Sequence, residues 1–171
     1  YPDWITDELL DTMASEEKVL NYIDLPLQHA SGRVLHAMNR RGDKDSLTAL
    51  INKIRTKLPD VVLRTTIIAG FPTETEEEFT EVAEFCKDVA FERLGCFAYS
   101  VEEGTPAAEL PQLEEAIRRE RADIIMEAQQ YIMDAYNEKQ LGKILEVVVE
   151  GYDRFGECYF SRSYADAPEV D

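Results

Sequence analysis

Strand-like and helix-like hydrophobic patterns alternate along most of this chain. Residues 63–69 are rich in β-branched side chains and are followed by a glycine and a proline, which is typical of a buried strand. Four apolar residues then recur at helical spacing: Phe79, Val82, Cys86 and Val89. Residues 75–78 have the Thr-x-x-Glu pattern of a capping box, so the helix is predicted to begin there. The central stretch is therefore predicted to be one strand–turn–helix unit.

Similar segments are predicted on both sides of this unit. Strands are predicted at 19–27 and 94–100, and helices at 6–13, 31–42 and 45–58. Ser31 is the predicted cap of the second helix, and Gly42 is its predicted end. Pro26 forbids ordinary pairing at one amide of the first strand. Because strands alternate with helices, we expect an α/β protein with a parallel sheet.

The last third of the chain has a different pattern. Residues 112–140 predict one long helix whose inner face carries Ile117, Ile124, Ala128, Ile132 and Ala135. Its opposite face is predicted to be solvated, with ion pairs among Arg118, Arg119, Arg121 and neighbouring glutamates. Residues 144–150 and 157–162 predict two strands joined by a turn. We expect one domain at 1–141 and the start of an all-β module at 142–171.

Polar residues follow each predicted strand of the parallel sheet. Gln28, His29 and Ser31 follow the first strand, residues 70–74 the second and residues 99–103 the third. Active sites of such folds lie at the carboxyl ends of the strands, so these three loops predict a site on one rim. Glycine, proline and threonine also simply make turns, so the alternative is that these loops have no further role.

Arg64 stands inside the central apolar strand, where it shares one face with Thr66 and Ile68. A buried arginine is costly unless a partner neutralises it. The residue types alone leave two readings open, a structural ion pair or contact with a bound ligand.

Charge and cysteine content argue against some classes of function. The chain has 35 acidic and 18 basic residues, a formal net charge of −17, so direct nucleic-acid binding is not expected. The acidic surface serves either solubility or a basic protein partner. Cys86, Cys96 and Cys158 have neither disulfide nor metal-site spacing, and the first two are predicted to be packed hydrophobes. Without a signal peptide or a long apolar run, we expect a cytoplasmic protein with no membrane association.

Four motifs in this order make the chain resemble the radical S-adenosylmethionine (SAM) methylthiotransferases: LPLQHAS, VLHAMNRRG, RTTIIAGFPTETEEEF and FAYSVEEGTPAA. Residues 66–74 resemble the radical SAM strand motif GxIxGxxE. Ile68 and Gly70 are in register with that motif, but Thr66 replaces its first glycine and Glu74 comes one residue late. The resemblance implies part of a (β/α) barrel, a long helix and the start of a TRAM module.

Two branches of this family differ in their substrate. The tRNA-modifying branch ends in a basic RNA-binding TRAM module, whereas the RimO-type branch methylthiolates an aspartate of the twelfth small-subunit ribosomal protein, which is basic. LPLQHAS and residues 162–171 resemble the RimO type. The acidic charge also agrees with a basic protein target. A tRNA-modifying enzyme and a non-catalytic acidic binding module remain the alternatives.

The resemblance also implies cofactors and residues that bind them. The full-length enzyme would use SAM and two 4Fe-4S clusters, with Gln28, Ser31 and Arg64 contacting polar groups of SAM and Thr66 and Gly70 forming the wall against it. The CxxxCxxC loop that holds the radical SAM cluster is not among these residues. We therefore expect a segment of a larger enzyme that alone binds no iron and is inactive. We also expect it to self-associate through an uncovered strand edge or sheet face.

Overall fold

A three-stranded parallel sheet forms the centre of the molecule, and the structure, a computed structural model, describes residues 1–168. The helices are α1 (Asp7–Ser15), α2 (Gly32–Ala37), α3 (Lys44–Lys57), α4 (Glu76–Val89) and α5 (Glu115–Glu138). The strands are β1 (Tyr22–Asp24), β2 (Val62–Ala69), β3 (Arg93–Ala98), β4 (Val148–Asp153) and β5 (Cys158–Arg162). Short 3₁₀ helices span Pro2–Trp4 and Pro106–Glu109.

The sheet order is β1-β2-β3, and β2 pairs in parallel with both neighbours. Asp24 of β1 and Arg93 of β3 are the register partners of Arg64 on β2. The predicted parallel α/β arrangement is confirmed. The predicted capping box at the start of α4 is also confirmed, since Thr75 and Glu78 each accept from the other's backbone N–H.

The two faces of the sheet have different surroundings. Leu63, Thr65 and Ile67 of β2 are buried on one face. The core between that face and the helices includes Leu47, Ile51, Ile54, Phe79, Val82 and Phe85. The residues between them on β2, Arg64, Thr66 and Ile68, are only partly buried on the other face, which we call the open face. The helices therefore cover one side of the sheet, and the open face carries Arg64, Thr66 and Ile68 of β2.

The first strand is much shorter than the predicted 19–27, because its pairing with β2 is interrupted between Leu25 and Gln28. The Leu25 N–H still donates to the Arg64 carbonyl, and beyond it the buried Thr65 hydroxyl bridges the gap in the ladder. That hydroxyl donates to the Leu25 carbonyl at 2.9 Å and accepts from the Leu27 N–H at 3.3 Å. Pairing then resumes as a single bridge between Gln28 and Ile67. A side chain thus replaces the missing backbone bonds of β1.

Helix α2 ends earlier than predicted. Its last residue is Ala37, and Asn39 adopts the left-handed conformation (φ 56°) that closes it, so the predicted end at Gly42 is wrong. Ser31 occupies the N-cap position of α2 but makes no side-chain cap hydrogen bond. The next helix begins at Lys44 because Asp43 forms the cap.

The predicted inner face of the long helix is wrong. The buried residues of α5 are Arg121, Ala122, Ile125 and Gln129. Ile117 and Ile124 are instead about 40% exposed, at 38% and 41%. Polar partners on other elements explain the difference: Arg121 pairs with Glu74, and the Gln129 amide donates to the Phe91 carbonyl at 2.9 Å. The charged face was expected in solvent, and part of it lies in the core.

The strands β4 and β5 form a separate antiparallel hairpin, as predicted, joined by a turn after Asp153. Their side chains are largely exposed, and the Tyr152 and Tyr159 rings pack edge to face with centroids 4.9 Å apart. Asp166, beyond the hairpin, accepts from the Arg93 guanidinium at 2.8 Å. Within residues 1–168, no helix is long and apolar enough to span a membrane.

Candidate functional site

A cavity of about 530 Å³ lies where the strands end. Its lining comes from all three predicted loops and from the segment after α2: Gln28, Ala37, Met38, Asn39, Arg40, Ile68, Phe71, Tyr99, Glu102, Thr105, Pro106 and Ala107. The prediction that polar loops converge at the carboxyl ends of the strands therefore agrees with the geometry. Pockets of this volume and mixed lining are typical of small-molecule sites.

Gln28 reaches this cavity because the backbone changes direction there. Its φ of 73° lies in the left-handed region, which is unusual for a residue other than glycine. Two backbone hydrogen bonds to β2 hold that conformation: the Gln28 N–H donates to the Thr66 carbonyl, and the Ile68 N–H donates to the Gln28 carbonyl. Strained backbone held by the surrounding structure is a common feature of functional sites.

Beneath the cavity rim lies a buried ion-pair cluster centred on Glu74, whose side chain is 0% exposed. The Glu74 carboxylate accepts from the Arg121 guanidinium at 2.7 Å and from the Gly70 N–H at 3.0 Å. It also accepts from His29 at 3.2 Å. Arg121 further pairs with Glu76. This cluster joins the ends of β1 and β2 to α5.

His29 is fully buried, and the two hydrogen bonds of its ring determine its tautomer. The backbone N–H of Ser31 donates to Nδ1 at 2.9 Å, so Nδ1 carries no proton. Nε2 therefore carries the hydrogen that is donated to Glu74. His29 thus orients the loop between β1 and α2, and no ring nitrogen remains for another ligand.

Ser31 lies under the same loop and its side chain faces α4. Its hydroxyl donates to the Glu78 carboxylate at 3.1 Å, and Arg33 donates to both oxygens of that carboxylate at 2.6 and 2.5 Å. The hydrogen bonds from Arg33 are the main reason that the pKa of Glu78 falls from 4.5 to about 2. Ser31 is 4% exposed and does not line the cavity.

Gly70 has a packing role that sequence reasoning missed. Its φ is 74°, and a Cβ atom there would lie 2.5 Å from Cγ and 2.9 Å from Cα of Arg118. Only glycine therefore allows α5 to approach the end of β2 this closely. Gly70 faces the helix at this point rather than the cavity.

Arg64 pairs with Asp24, its register partner on β1, at 2.8 Å. The structural ion pair that was one of the two readings is therefore present. Arg64 lies four residues before Ile68 on β2, about 13 Å away at the rise of a strand. It lines a second cavity of about 410 Å³ together with Arg93 and Asp166. The structure thus separates Arg64 from the cavity that contains Gln28.

The cysteines agree with their predicted packing role. Cys86 and Cys96 lie in or against the hydrophobic core, and burial raises the pKa of both thiols, that of Cys96 to about 12. Cys158 is exposed on the hairpin. In the part of the chain that the structure describes, no three His, Cys, Asp or Glu residues are grouped to hold a metal ion.

Sequence reasoning missed two features of the site: the buried ion pair of Glu74 with Arg121, and Arg40 in the cavity wall. Glu74 was placed in the loop after the second strand and in the partial GxIxGxxE match, but Arg121 stands among the charges of a long helix, so no local pattern predicts that the two side chains pair. The signal for Arg40 was available, because the motif VLHAMNRRG follows the first strand end.

Comparison with known proteins relates the sequence of this chain to a family. Residues 2–86 match the Radical SAM superfamily. All of the chain aligns with proteins named "Ribosomal protein uS12 methylthiotransferase RimO", at 47% identity in Caldicellulosiruptor saccharolyticus and 48% in Desulfitobacterium hafniense. It spans 39% and 38% of their lengths.

Among solved structures, the chain resembles coproporphyrinogen III oxidase (HemN) from Escherichia coli, which is described as a Radical SAM enzyme. The TM-score is 0.56 at 22% identity, covering 78% of this chain and 31% of that one, which supports the α/β fold alone. The matches to sequences carry the assignment further. The chain belongs to the radical SAM superfamily and is similar over its whole length to a segment of the proteins named RimO.

Proposed function

We propose that the protein containing this segment is a methylthiotransferase that replaces a hydrogen on the β-carbon of an aspartate in ribosomal protein uS12 with a methylthio group. The observation that carries this proposal is 41–48% identity over the whole chain to proteins named as uS12 methylthiotransferases. A ribosomal substrate would also place the enzyme in the cytoplasm.

The cavity at the strand ends is the proposed SAM site. Its volume suits a nucleoside-sized ligand, and its apolar wall of Ile68, Phe71 and Ala107 suits an adenine or ribose face. Gln28 would contact a polar group of SAM, and Thr66, its neighbour on the open face, would line the approach. SAM, with two 4Fe-4S clusters held elsewhere in the full-length enzyme, would supply the radical and sulfur chemistry. The residues of this segment would orient it and exclude water.

The other predicted cofactor residues would have indirect or conditional roles in binding SAM. Ser31 and Gly70 would act indirectly, since they position the loops that form the rim. Arg64 would contact SAM only if SAM extended along the open face, because Asp24 already pairs with it. Replacing Arg64 by Met in the full-length enzyme tests this point, since a ligand role predicts weaker SAM binding.

Charge favours a protein substrate over tRNA. Residues 142–171, the proposed start of a TRAM module, contain three basic and seven acidic residues. An RNA-binding surface needs the opposite balance. We also propose that the parallel sheet is part of a (β/α) barrel and that the module boundary falls near residue 142, after α5.

The test is a methylthiolation assay with the full-length enzyme, reconstituted anaerobically and supplied with SAM, a reductant and a sulfur source. Recombinant uS12 and an unmodified tRNA are the two substrates, and mass spectrometry detects the methylthio group. The proposal expects modification of an aspartate in uS12 and none of the tRNA. Modification of the tRNA alone would overturn the choice of substrate. Inactivity on both substrates, while SAM is still cleaved, would overturn the proposed transfer.

A further inference from the structure

The short segment that follows the β4–β5 hairpin, residues 163–166, packs against the sheet and its helices. The side chains of the hairpin itself are largely exposed. In the segment after it, Ala165 is only 5% exposed, and Asp166 pairs with Arg93 at the start of β3. We call residues 163–166 the latch segment. The hairpin is thus attached to the sheet domain twice, covalently after α5 and non-covalently through the latch segment.

A turn within the latch segment holds the carboxylate of Asp166 in place. Its Oδ2 atom accepts from the backbone N–H and from the hydroxyl of Ser163, at 2.9 and 2.8 Å. The hydroxyl oxygen of Ser163 also accepts from the Ala165 N–H at 3.1 Å. The other carboxylate oxygen, Oδ1, accepts from Nη2 of Arg93 at 2.8 Å. Because the acceptor is already oriented, little side-chain entropy is lost when it pairs with the guanidinium.

Arg93 is oriented by the sheet domain in a similar way. Its Nη1 atom donates to the Glu92 carbonyl at 3.0 Å, and its guanidinium lies against the ring of Tyr136 on α5, with Cζ 5.5 Å from the ring centroid. The side chains of Arg93 and Asp166 are 16% and 32% exposed. Charge-assisted hydrogen bonds between oriented, partly shielded groups are stronger than those of fully exposed ion pairs.

The covalent attachment alone would let the hairpin turn relative to the sheet. Residues 139–147 join α5 to β4 without a helix or strand of their own, and they include Gly142, with φ 81° and open space around it. The latch segment adds contacts with two different elements. Asp166 pairs with Arg93 of β3, and the Tyr164 hydroxyl lies 3.5 Å from the Asp60 carbonyl, in the turn before β2. Together with the connector, these contacts determine one orientation of the hairpin.

We propose that the latch segment fixes the hairpin relative to the sheet domain, with Arg93 and Asp166 as positioning residues for a protein substrate that contacts both parts. The inference deepens the proposed function and rests on it for the identity of that substrate, uS12. Docking of the latch segment does not depend on that identity. Neither residue lines the cavity at the strand ends, so each acts through the hairpin and not on SAM.

The experiment compares the full-length enzyme with its Asp166→Asn and Arg93→Met variants and with the double variant. Glu150→Gln is the matched control, since it removes an ion pair within the hairpin, that of Glu150 with Arg162 at 3.0 Å. Hydrogen exchange of the amides of the latch segment measures its docking, and melting temperatures verify folding. Steady-state kinetics with uS12 give KM and kcat, and formation of 5′-deoxyadenosine without uS12 measures SAM cleavage alone.

Loss of a charge-assisted hydrogen bond should raise the exchange rate in the latch segment by about 10- to 100-fold, while the β4–β5 ladder keeps its protection. The double variant should show the same increase as either single one, because all three break one contact. The KM for uS12 should rise by about 3- to 10-fold, since a smaller fraction of the enzyme has the competent orientation. SAM cleavage by Asp166→Asn and its kcat should not change, and Glu150→Gln should behave as wild type.

Unchanged exchange in residues 163–166 of both single variants would refute the latch. Faster exchange with an unchanged KM for uS12 would refute the positioning role. If Arg93→Met does not fold, Asp166→Asn, which keeps the size of the side chain, gives the same comparison. Failure of the wild-type enzyme to modify uS12 would refute the proposed function, while hydrogen exchange would still test the docking of the latch segment.

Discussion

Replacing Glu74 by Gln should destabilise the chain strongly although the two side chains have nearly the same shape. The Glu74 carboxylate receives hydrogen bonds from Arg121, His29 and Gly70, and its side chain is fully buried. A glutamine amide must point its NH₂ group at one of these donors. The guanidinium of Arg121, 7% exposed, would then lose its buried counter-charge.

The expected magnitude follows from the burial of both partners. Removing one member of a buried ion pair costs about 3–5 kcal/mol, because the other charge remains in the interior. For a chain of this size, each kcal/mol corresponds to a fall in Tm of roughly 2–4 °C. Glu76→Gln is the matched control: it removes the second carboxylate on Arg121, but the Glu76 side chain is 74% exposed. A surface pair of that kind contributes less than about 1 kcal/mol.

Urea unfolding followed by circular dichroism measures both variants against wild type. The reasoning requires a large fall in the denaturation midpoint for Glu74→Gln, a small fall for Glu76→Gln, and similar m-values for all three proteins. If Glu74→Gln lost less than about 1 kcal/mol, the cluster would not hold the strand ends to α5 as described.

Three further outcomes are expected. The pKa of Glu78 is lowered from 4.5 to about 2, so the stability from its pairing with Arg33 is complete above pH 4.5 and is lost as the pH falls toward 2. Acid titration should therefore destabilise wild type more steeply over this range than Arg33→Met, and equal slopes would contradict the assignment. Gly70→Ala should cost well over 1 kcal/mol in thermal unfolding because of positive φ and contact with Arg118, whereas Gly104→Ala, with positive φ and open space, should cost about 1 kcal/mol. Sedimentation of the 171-residue chain should show concentration-dependent association through the β1 edge or the open face, and a monomer at every concentration would refute this expectation.

Local sequence signals predicted the centre of the fold well. The β2–α4 unit follows from β-branched residues, a terminal glycine and a capping box, all of which act within a few residues of one another. The parallel arrangement followed from the alternation of strands with helices. For the same reason, the cavity at the strand ends was predictable as a location, together with Gln28 in its wall.

Contacts between distant residues were not predictable in this way. Glu74 and Arg121 are 47 positions apart, and each has the sequence surroundings of a solvent-exposed charge. Their pairing also explains why the inner face of α5 was predicted wrongly, since apolar periodicity gives no weight to a buried arginine. Ser31 shows the same effect: its hydroxyl bonds Glu78 rather than the helix it precedes.

The hydroxyl of Thr65, which bridges the interruption at Pro26, restricts which amino acids position 65 can accept. Valine would fill the same volume but leave the Leu25 carbonyl and the Leu27 N–H without partners, at about 1–3 kcal/mol each. Serine would keep the hydroxyl but open a methyl-sized void at a site with 0% exposure. Of the twenty amino acids, threonine alone meets both demands. The break in backbone pairing on the neighbouring strand therefore limits what position 65 can accept, and we expect threonine to be retained there wherever that break is retained.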